Sequence, residues 1–197
     1  MMAEKASRTP GRPKPDIDPP YVLRITGVLL GVCLAVALLL GIVNQVTKPR
    51  IDAIQAEKIR AAMSQVLPAD SYEPLDFTAA NVTAIYQAVS DGKDTGWVVE
   101  TSAAGSQGPI EMMVGIDSEG KVTGVSIVKH SETPNIGTKV VGDQAVLDRF
   151  TGMSLEAGEI TVNGGANRFD GVSGATVSSR GVAAGVNAAL AAIGVTP

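Results

Sequence analysis

Residues 170 to 180, Asp-Gly-Val-Ser-Gly-Ala-Thr-Val-Ser-Ser-Arg, are the stretch of this chain best suited to chemistry, because the Thr176 hydroxyl stands among very small side chains just ahead of a helical pattern. Val182, Val186, Leu190 and Ile193 follow at steps of four, four and three, the spacing of one apolar helix face. This spacing predicts a helix from near Ser178, with Ser178 or Ser179 able to cap it. The first turn of such a helix carries unpaired N–H groups and a partial positive charge, so a phosphate placed at Thr176 is bound and partly neutralised. Gly174 and Ala175 keep bulk away from it. The competing reading is an ordinary helix start, since small residues before a capped helix are common.

The rest of the chain offers little catalytic apparatus. Cys33 is the single cysteine and lies in an apolar run, so no disulfide framework, CxxC metal site or iron–sulfur cluster can be built within one chain. His130 is the single histidine, which excludes a multi-histidine zinc or haem site. We therefore expect no catalytic side chain and no metal, and a scaffold for a cofactor that carries its own chemistry. A net charge of −4, without a basic stripe of interleaved aromatics, argues against nucleic acid as a partner. There is no G-x-G-x-x-G after a strand and no P-loop.

The elements that must position Thr176 read as follows. Residues 1–20 form a polar arm with Pro10, Pro13, Pro15, Pro19 and Pro20. Residues 21–47 read as a transmembrane helix, with no charge from Ile25 to Thr47; these 23 positions at about 1.5 Å each span roughly 35 Å. A cleaved signal peptide has a shorter apolar region, and Val32 before Cys33 is unlike a lipoprotein signal. Lys5, Arg8, Arg12, Lys14 and Arg24 precede the uncharged run, against Lys48, Arg50, Lys58 and Arg60 after it. This small bias, with the short arm, predicts a cytoplasmic N-terminus and an extracytoplasmic C-terminal domain in the cell (inner) membrane.

Residues 48–70 are expected to form a membrane-proximal amphipathic segment, helical with Ile54, Ile59, Met63 and Val66 on one face and stopping at Pro68. Residues 71–197 form the domain. Strands are predicted at 82–89, 96–101, 110–116 and 122–128, with turns at Asp91-Gly92 and Asp117-Ser118-Glu119-Gly120. A short helix from Gly142 to Phe150 points Val146, Leu147 and Phe150 inward. The fold class is α+β: an antiparallel β-meander with flanking helices, preceded by one N-terminal transmembrane helix.

Ser173-Gly174-Ala175-Thr176, with a hydroxyl pair and a helix after it, resembles the attachment motif of the FMN-binding domain family. Gly108-Pro109-Ile110 leading into Met113-Val114-Gly115-Ile116-Asp117, the Gly120-Lys121-Val122 turn, and His130-Ser131-Glu132-Thr133-Pro134 stand in the family's order, so the resemblance covers about residues 96 to 193. It implies FMN joined through its phosphate to the Thr176 hydroxyl. The family carries Glu-Thr-Pro-Gly-Leu-Gly near the flavin ring; this chain has Glu132-Thr133-Pro134-Asn135-Ile136-Gly137, in which Ile136 keeps an apolar edge and Asn135 tolerates a positive φ. By this resemblance Glu132 and Thr133 face the ring's polar edge, while Ser173, Gly174, Ala175, Ser178 and Ser179 surround phosphate and ribityl.

One membrane helix followed by a single such domain is similar to the G subunits of Rnf electron-transport complexes. That likeness implies an electron carrier, without substrate chemistry of its own, in an ion-translocating ferredoxin:NAD+ oxidoreductase. Its partners would be the other membrane subunits of the complex, with an FMN transferase using FAD for maturation. Two other readings stand beside it: the corresponding subunit of a Na+-translocating NADH:quinone oxidoreductase, usually a longer chain, and a membrane-tethered binding or sensor module without redox function.

Overall fold

The computed structural model describes residues 19–76 and 79–194, so the basic residues of the N-terminal arm used in the orientation argument lie outside the described residues. The chain divides into two compact units, Met1–Asp52 and Ala53–Pro197. The first helix, α1, has the bounds Pro19–Val66 and contains Pro49. In the first unit its described residues are exposed throughout, with Leu29, Leu34, Leu38 and Val46 all bare. This helix is long and apolar enough to cross a membrane.

The second unit is built on one antiparallel sheet with the order β1 (Ser71–Leu75), β2 (Val82–Ser90), β3 (Lys93–Ala104), β4 (Pro109–Asp117), β5 (Val122–Lys129). The meander expected from alternation is present and has one strand more, β1, at its edge. Each turn has a local cause. Asp91 and Gly92 take φ of 53° and 70°, the paired left-handed geometry that lets a two-residue hairpin follow strand twist. At the next hairpin the Asp117 carboxylate accepts from the amides of Glu119 and Lys121, both at 2.9 Å, while Gly120 supplies φ of 77°.

Strand alternation divides the core. Val99, Met112 and Val114 face one side with Val182, Val186, Ala189 and Leu190 of the last helix, α4 (Thr176–Ile193). Their neighbours Val98 and Met113 face the other side with Ala62, Met63, Val66 and Leu67. Of the four residues expected on the apolar face of segment 48–70, Met63 and Val66 are buried, Ile59 is partly so, and Ile54 is 51% exposed. The rings of Phe150 and Phe169 stack at 4.1 Å beside the α4 side of the sheet.

The stretch expected as a single helix from Gly142 to Phe150 holds two short pieces, α3 (Gln144–Leu147) and a 3₁₀ turn (Asp148–Phe150), and a separate short helix, α2 (Thr138–Val141), precedes it. Asp143 breaks it by capping α3, its carboxylate accepting from the Ala145 amide at 3.0 Å. Val146, Leu147 and Phe150 nevertheless point inward as their spacing implied. Two-residue strands β6 (Thr161–Val162) and β7 (Arg168–Phe169) pair in parallel and carry the chain to the Thr176 segment.

Candidate functional site

α4 starts at Thr176, two residues earlier than the sequence pattern suggested, and neither serine caps it. The residue before the helix is Ala175, with no side-chain cap. Ser178 and Ser179 lie inside the first turn and are 1% and 0% exposed. The Ser178 hydroxyl donates to the Glu132 carboxylate, while the Ser179 hydroxyl accepts from the Val172 amide at 3.2 Å. Their inward direction follows from helix geometry, which leans side chains back over the preceding turn and here onto the core.

With the serines removed from the cap, Thr176 and Val177 are the exposed residues at the start of the helix, with Ser173 and Gly174 exposed before them and Ala175 buried. Gly174 takes φ of 80°, a region that suits glycine, and among the described residues nothing lies within 4 Å of where its Cβ would stand. The Ser179 amide is bonded to the Ala175 carbonyl at 2.9 Å. By helix geometry the amides of Thr176, Val177 and Ser178 have no intrahelical acceptor, and the macrodipole is positive at this end. The arrangement fits a phosphoester on Thr176: an open hydroxyl, free room beside it, and donors at the helix end. Arg180 follows one turn later, exposed and with no ion pair among the described residues.

The loop from His130 to Gly137 meets this turn through Glu132. Glu132 is 5% exposed, and its Oε1 accepts from the Ser106 amide at 2.7 Å and the Gln107 amide at 3.3 Å, while Oε2 takes the Ser178 hydroxyl. Its side chain is buried, and its own amide donates to His130 Nδ1 at 3.3 Å. Thr133 is half-buried, and its carbonyl accepts from Ile136 and Thr138 at 3.2 and 3.3 Å. Asn135 takes the positive φ anticipated for it, 62°, and its amide donates to the Thr138 hydroxyl at 2.9 Å.

Ile136 and Val177 are 52% and 54% exposed. Each is the chain neighbour of a residue in the Gly137–Ser178 contact, where a Cβ on Gly137 would stand 2.9 Å from Ser178 Oγ. Two half-exposed apolar side chains thus stand next in sequence to this contact between the loop and the first turn of α4.

The sequence reading missed the β3–β4 hairpin as part of this site. Its signal was present as Gly105 and Gly108 three residues apart, and the Gly105 amide donates to the Gly108 carbonyl at 2.9 Å. On the opposite face of the sheet Glu100 is half-buried, and burial, then the charge of Glu111, hold its carboxyl above the usual range. Glu111 is paired with Lys129 at 3.0 Å, and Tyr86 is pushed up by burial and then by Glu100.

An exposed threonine thus stands on a glycine-flanked helix start that is braced by the buried carboxylate of Glu132. The FMN-binding domain model matches residues 105–191, from the first glycine of the hairpin to the last turn of α4. The G subunit of the ion-translocating oxidoreductase complex of Methanosarcina acetivorans is 30% identical over 181 residues, covering 88% of this chain and 95% of that one. The Haemophilus influenzae protein of the same description is 33% identical over 176 residues, covering 79% and 83%. The G subunit of the Na+-translocating ferredoxin:NAD+ oxidoreductase complex of Acetobacterium woodii is 28% identical over 200 residues, covering 90% and 94%.

Among solved structures, the C subunit of the Na+-translocating NADH-quinone reductase from Parabacteroides distasonis is similar at TM-score 0.48 and 22% identity, over 56% of this chain and 60% of that one. Shewanella oneidensis NqrC is similar at TM-score 0.48 and 24% identity, over 64% and 66%. The chain belongs to the family of G subunits of ion-translocating oxidoreductase complexes and carries that family's FMN-binding domain.

Proposed function

We propose that this protein is the membrane-anchored electron-transfer subunit of an ion-translocating ferredoxin:NAD+ oxidoreductase of the Rnf type, carrying FMN as a phosphoester on Thr176. The observation that carries the reading is the exposed Thr176 at the first position of α4, within a family whose domain is described as FMN-binding. When bound, FMN supplies reversible electron uptake, and the chain's own residues hold and orient it. Thr176 bears the phosphate, the amides of the first turn neutralise it, Ser173 and Gly174 border it, and Ile136 and Val177 give the ring an apolar rest.

Attachment requires a co-reactant and an enzyme. Thr176 Oγ1 attacks the flavin-side phosphorus of FAD, the new O–P bond replaces the anhydride bond to the adenylate, AMP leaves, and the hydroxyl proton passes to solvent. An FMN transferase performs this step. Residues 21–47 anchor the chain in the cell membrane with the arm 1–20 on the cytoplasmic side, the segment 48–70 next to the membrane, and the domain 71–197 outside. The other membrane subunits of the complex are the electron donor and acceptor.

The test is denaturing electrophoresis of the full-length protein co-expressed with an FMN transferase. A band with flavin fluorescence for wild type and none for Thr176→Val supports the reading. Flavin that runs free of the wild-type chain, with the transferase shown active on a control, refutes the phosphoester.

A further inference from the structure

Resting on the reading of Thr176 as the attachment residue, we propose that Glu132 is the positioning residue of the site. Its one buried carboxylate takes the hydroxyl of the first turn of α4 and the amides of the hairpin, and so locks the 130–137 loop, the β3–β4 hairpin and the Thr176 turn into the arrangement that receives the phosphate.

The helix lacks the usual devices for its own start, having no side-chain cap at Ala175 and no acidic residue in its first turn. Glu132 instead brings a carboxylate to this first turn across 46 residues of chain, accepting from the hydroxyl of Ser178, the third residue of the helix. Its other oxygen binds the amides of Ser106 and Gln107 at 2.7 and 3.3 Å. No lysine, arginine or histidine forms an ion pair with Glu132 among the described residues. The charge is held by two amides, a hydroxyl and the positive end of a helix, and removing one of them leaves a buried carboxylate underbonded.

Space for the carboxylate is built into the backbone. A Cβ on Gly137 would stand 2.8 Å from Glu132 Cβ, and one on Gly105 would stand 2.7 Å from the Gly108 carbonyl and 2.8 Å from an Ile110 side-chain carbon. Two glycines therefore clear a chamber, and one side chain fills it with its bonds satisfied. Thr176 lies two residues before Ser178, so the rotation of α4 about its axis, and with it the direction of the Thr176 hydroxyl, is fixed where Glu132 holds Ser178. A displacement of about 1 Å at a reacting atom costs on the order of a hundredfold in rate, which is the scale on which such a brace matters.

The test uses the full-length protein in detergent, prepared without flavin in a host lacking the transferase, then mixed with FMN transferase and FAD. Transfer is followed by intact mass at a temperature well below each variant's melting midpoint. Ser178→Ala and Glu132→Ala are expected to lower kcat of transfer about ten- to a hundredfold with KM for FAD unchanged. Glu132→Gln keeps an oxygen for the two amides and an NH₂ group for Ser178, and is expected to restore transfer to within a few-fold of wild type. Wild-type kcat in folded Ser178→Ala overturns the positioning role while leaving Thr176 in place as acceptor. Absence of any mass gain in wild type overturns the attachment reading, and this inference with it.

Discussion

Gly115 of β4 and Gly124 of β5 face each other as direct partners across the ladder, and the backbone of Val66 sits over the bare patch they make. A Cβ on Gly115 would lie 2.5 Å from the Val66 carbonyl oxygen, which itself accepts the Thr123 hydroxyl at 2.6 Å. At Gly124 the nearest approach, to Val66 Cα, is 3.3 Å. Gly115→Ala is therefore expected to destabilise by about 1 to 3 kcal/mol and Gly124→Ala by less. Thermal melts of the full-length protein in detergent check this, and an unchanged midpoint for Gly115→Ala contradicts the packing described.

Thr101 is 0% exposed, and its hydroxyl has no hydrogen-bond partner among the described residues. It faces the α4 side of the sheet, where a Cβ on Gly185 would stand 3.1 Å from that oxygen. Thr101→Val keeps the shape and removes the unsatisfied group, so a gain of about 1 kcal/mol is expected. A lowered melting midpoint would show that the hydroxyl has a partner in the folded protein.

Glu100 sets a pH dependence with a definite sign. Because its folded carboxyl titrates above the usual range, the native state holds its proton more tightly than the unfolded chain. The stabilisation is fully present below the ordinary carboxylate range and is lost as pH rises through the raised value. Glu100→Gln is expected to melt higher than wild type at neutral pH, with the two converging as pH falls into the acid range. Parallel curves across that range would rule out Glu100 as the source.

Much of this architecture was legible in the sequence, and the failures share a cause. Strands β2 to β5 announced themselves through alternation and through Asp91-Gly92 and Asp117-Ser118-Glu119-Gly120, which are local signals. The edge strand β1 was hidden because Glu73 and Pro74 are poor strand formers that an exposed edge tolerates. The start of α4 was misplaced because Ser178 and Ser179 look like caps until their partners, Glu132 and Val172, are known. The positive φ of Asn135 could be read from residue type alone. The burial of Glu132 could not, since its acceptor role depends on amides 25 and 26 residues away.

Arg180 lies four residues after Thr176, so the two share one face of α4, and helix geometry leans the longer side chain back toward the threonine. It is exposed and without an ion pair among the described residues. Arg180→Gln is expected to slow FMN transfer a few-fold at low salt, with the difference fading as ionic strength rises. Kinetics of mass gain at two salt concentrations decide this; identical rates at both would separate Arg180 from the phosphate.

The measurement that bears most directly on the central claim is peptide mass mapping of the full-length protein after co-expression with an FMN transferase, for wild type and Thr176→Val. The account predicts a mass increase of one FMN less one water on the wild-type peptide containing Ser173-Gly174-Ala175-Thr176, and none on the variant. An unmodified wild-type peptide, in cells that flavinylate a control protein, or the same increase in Thr176→Val, would contradict it.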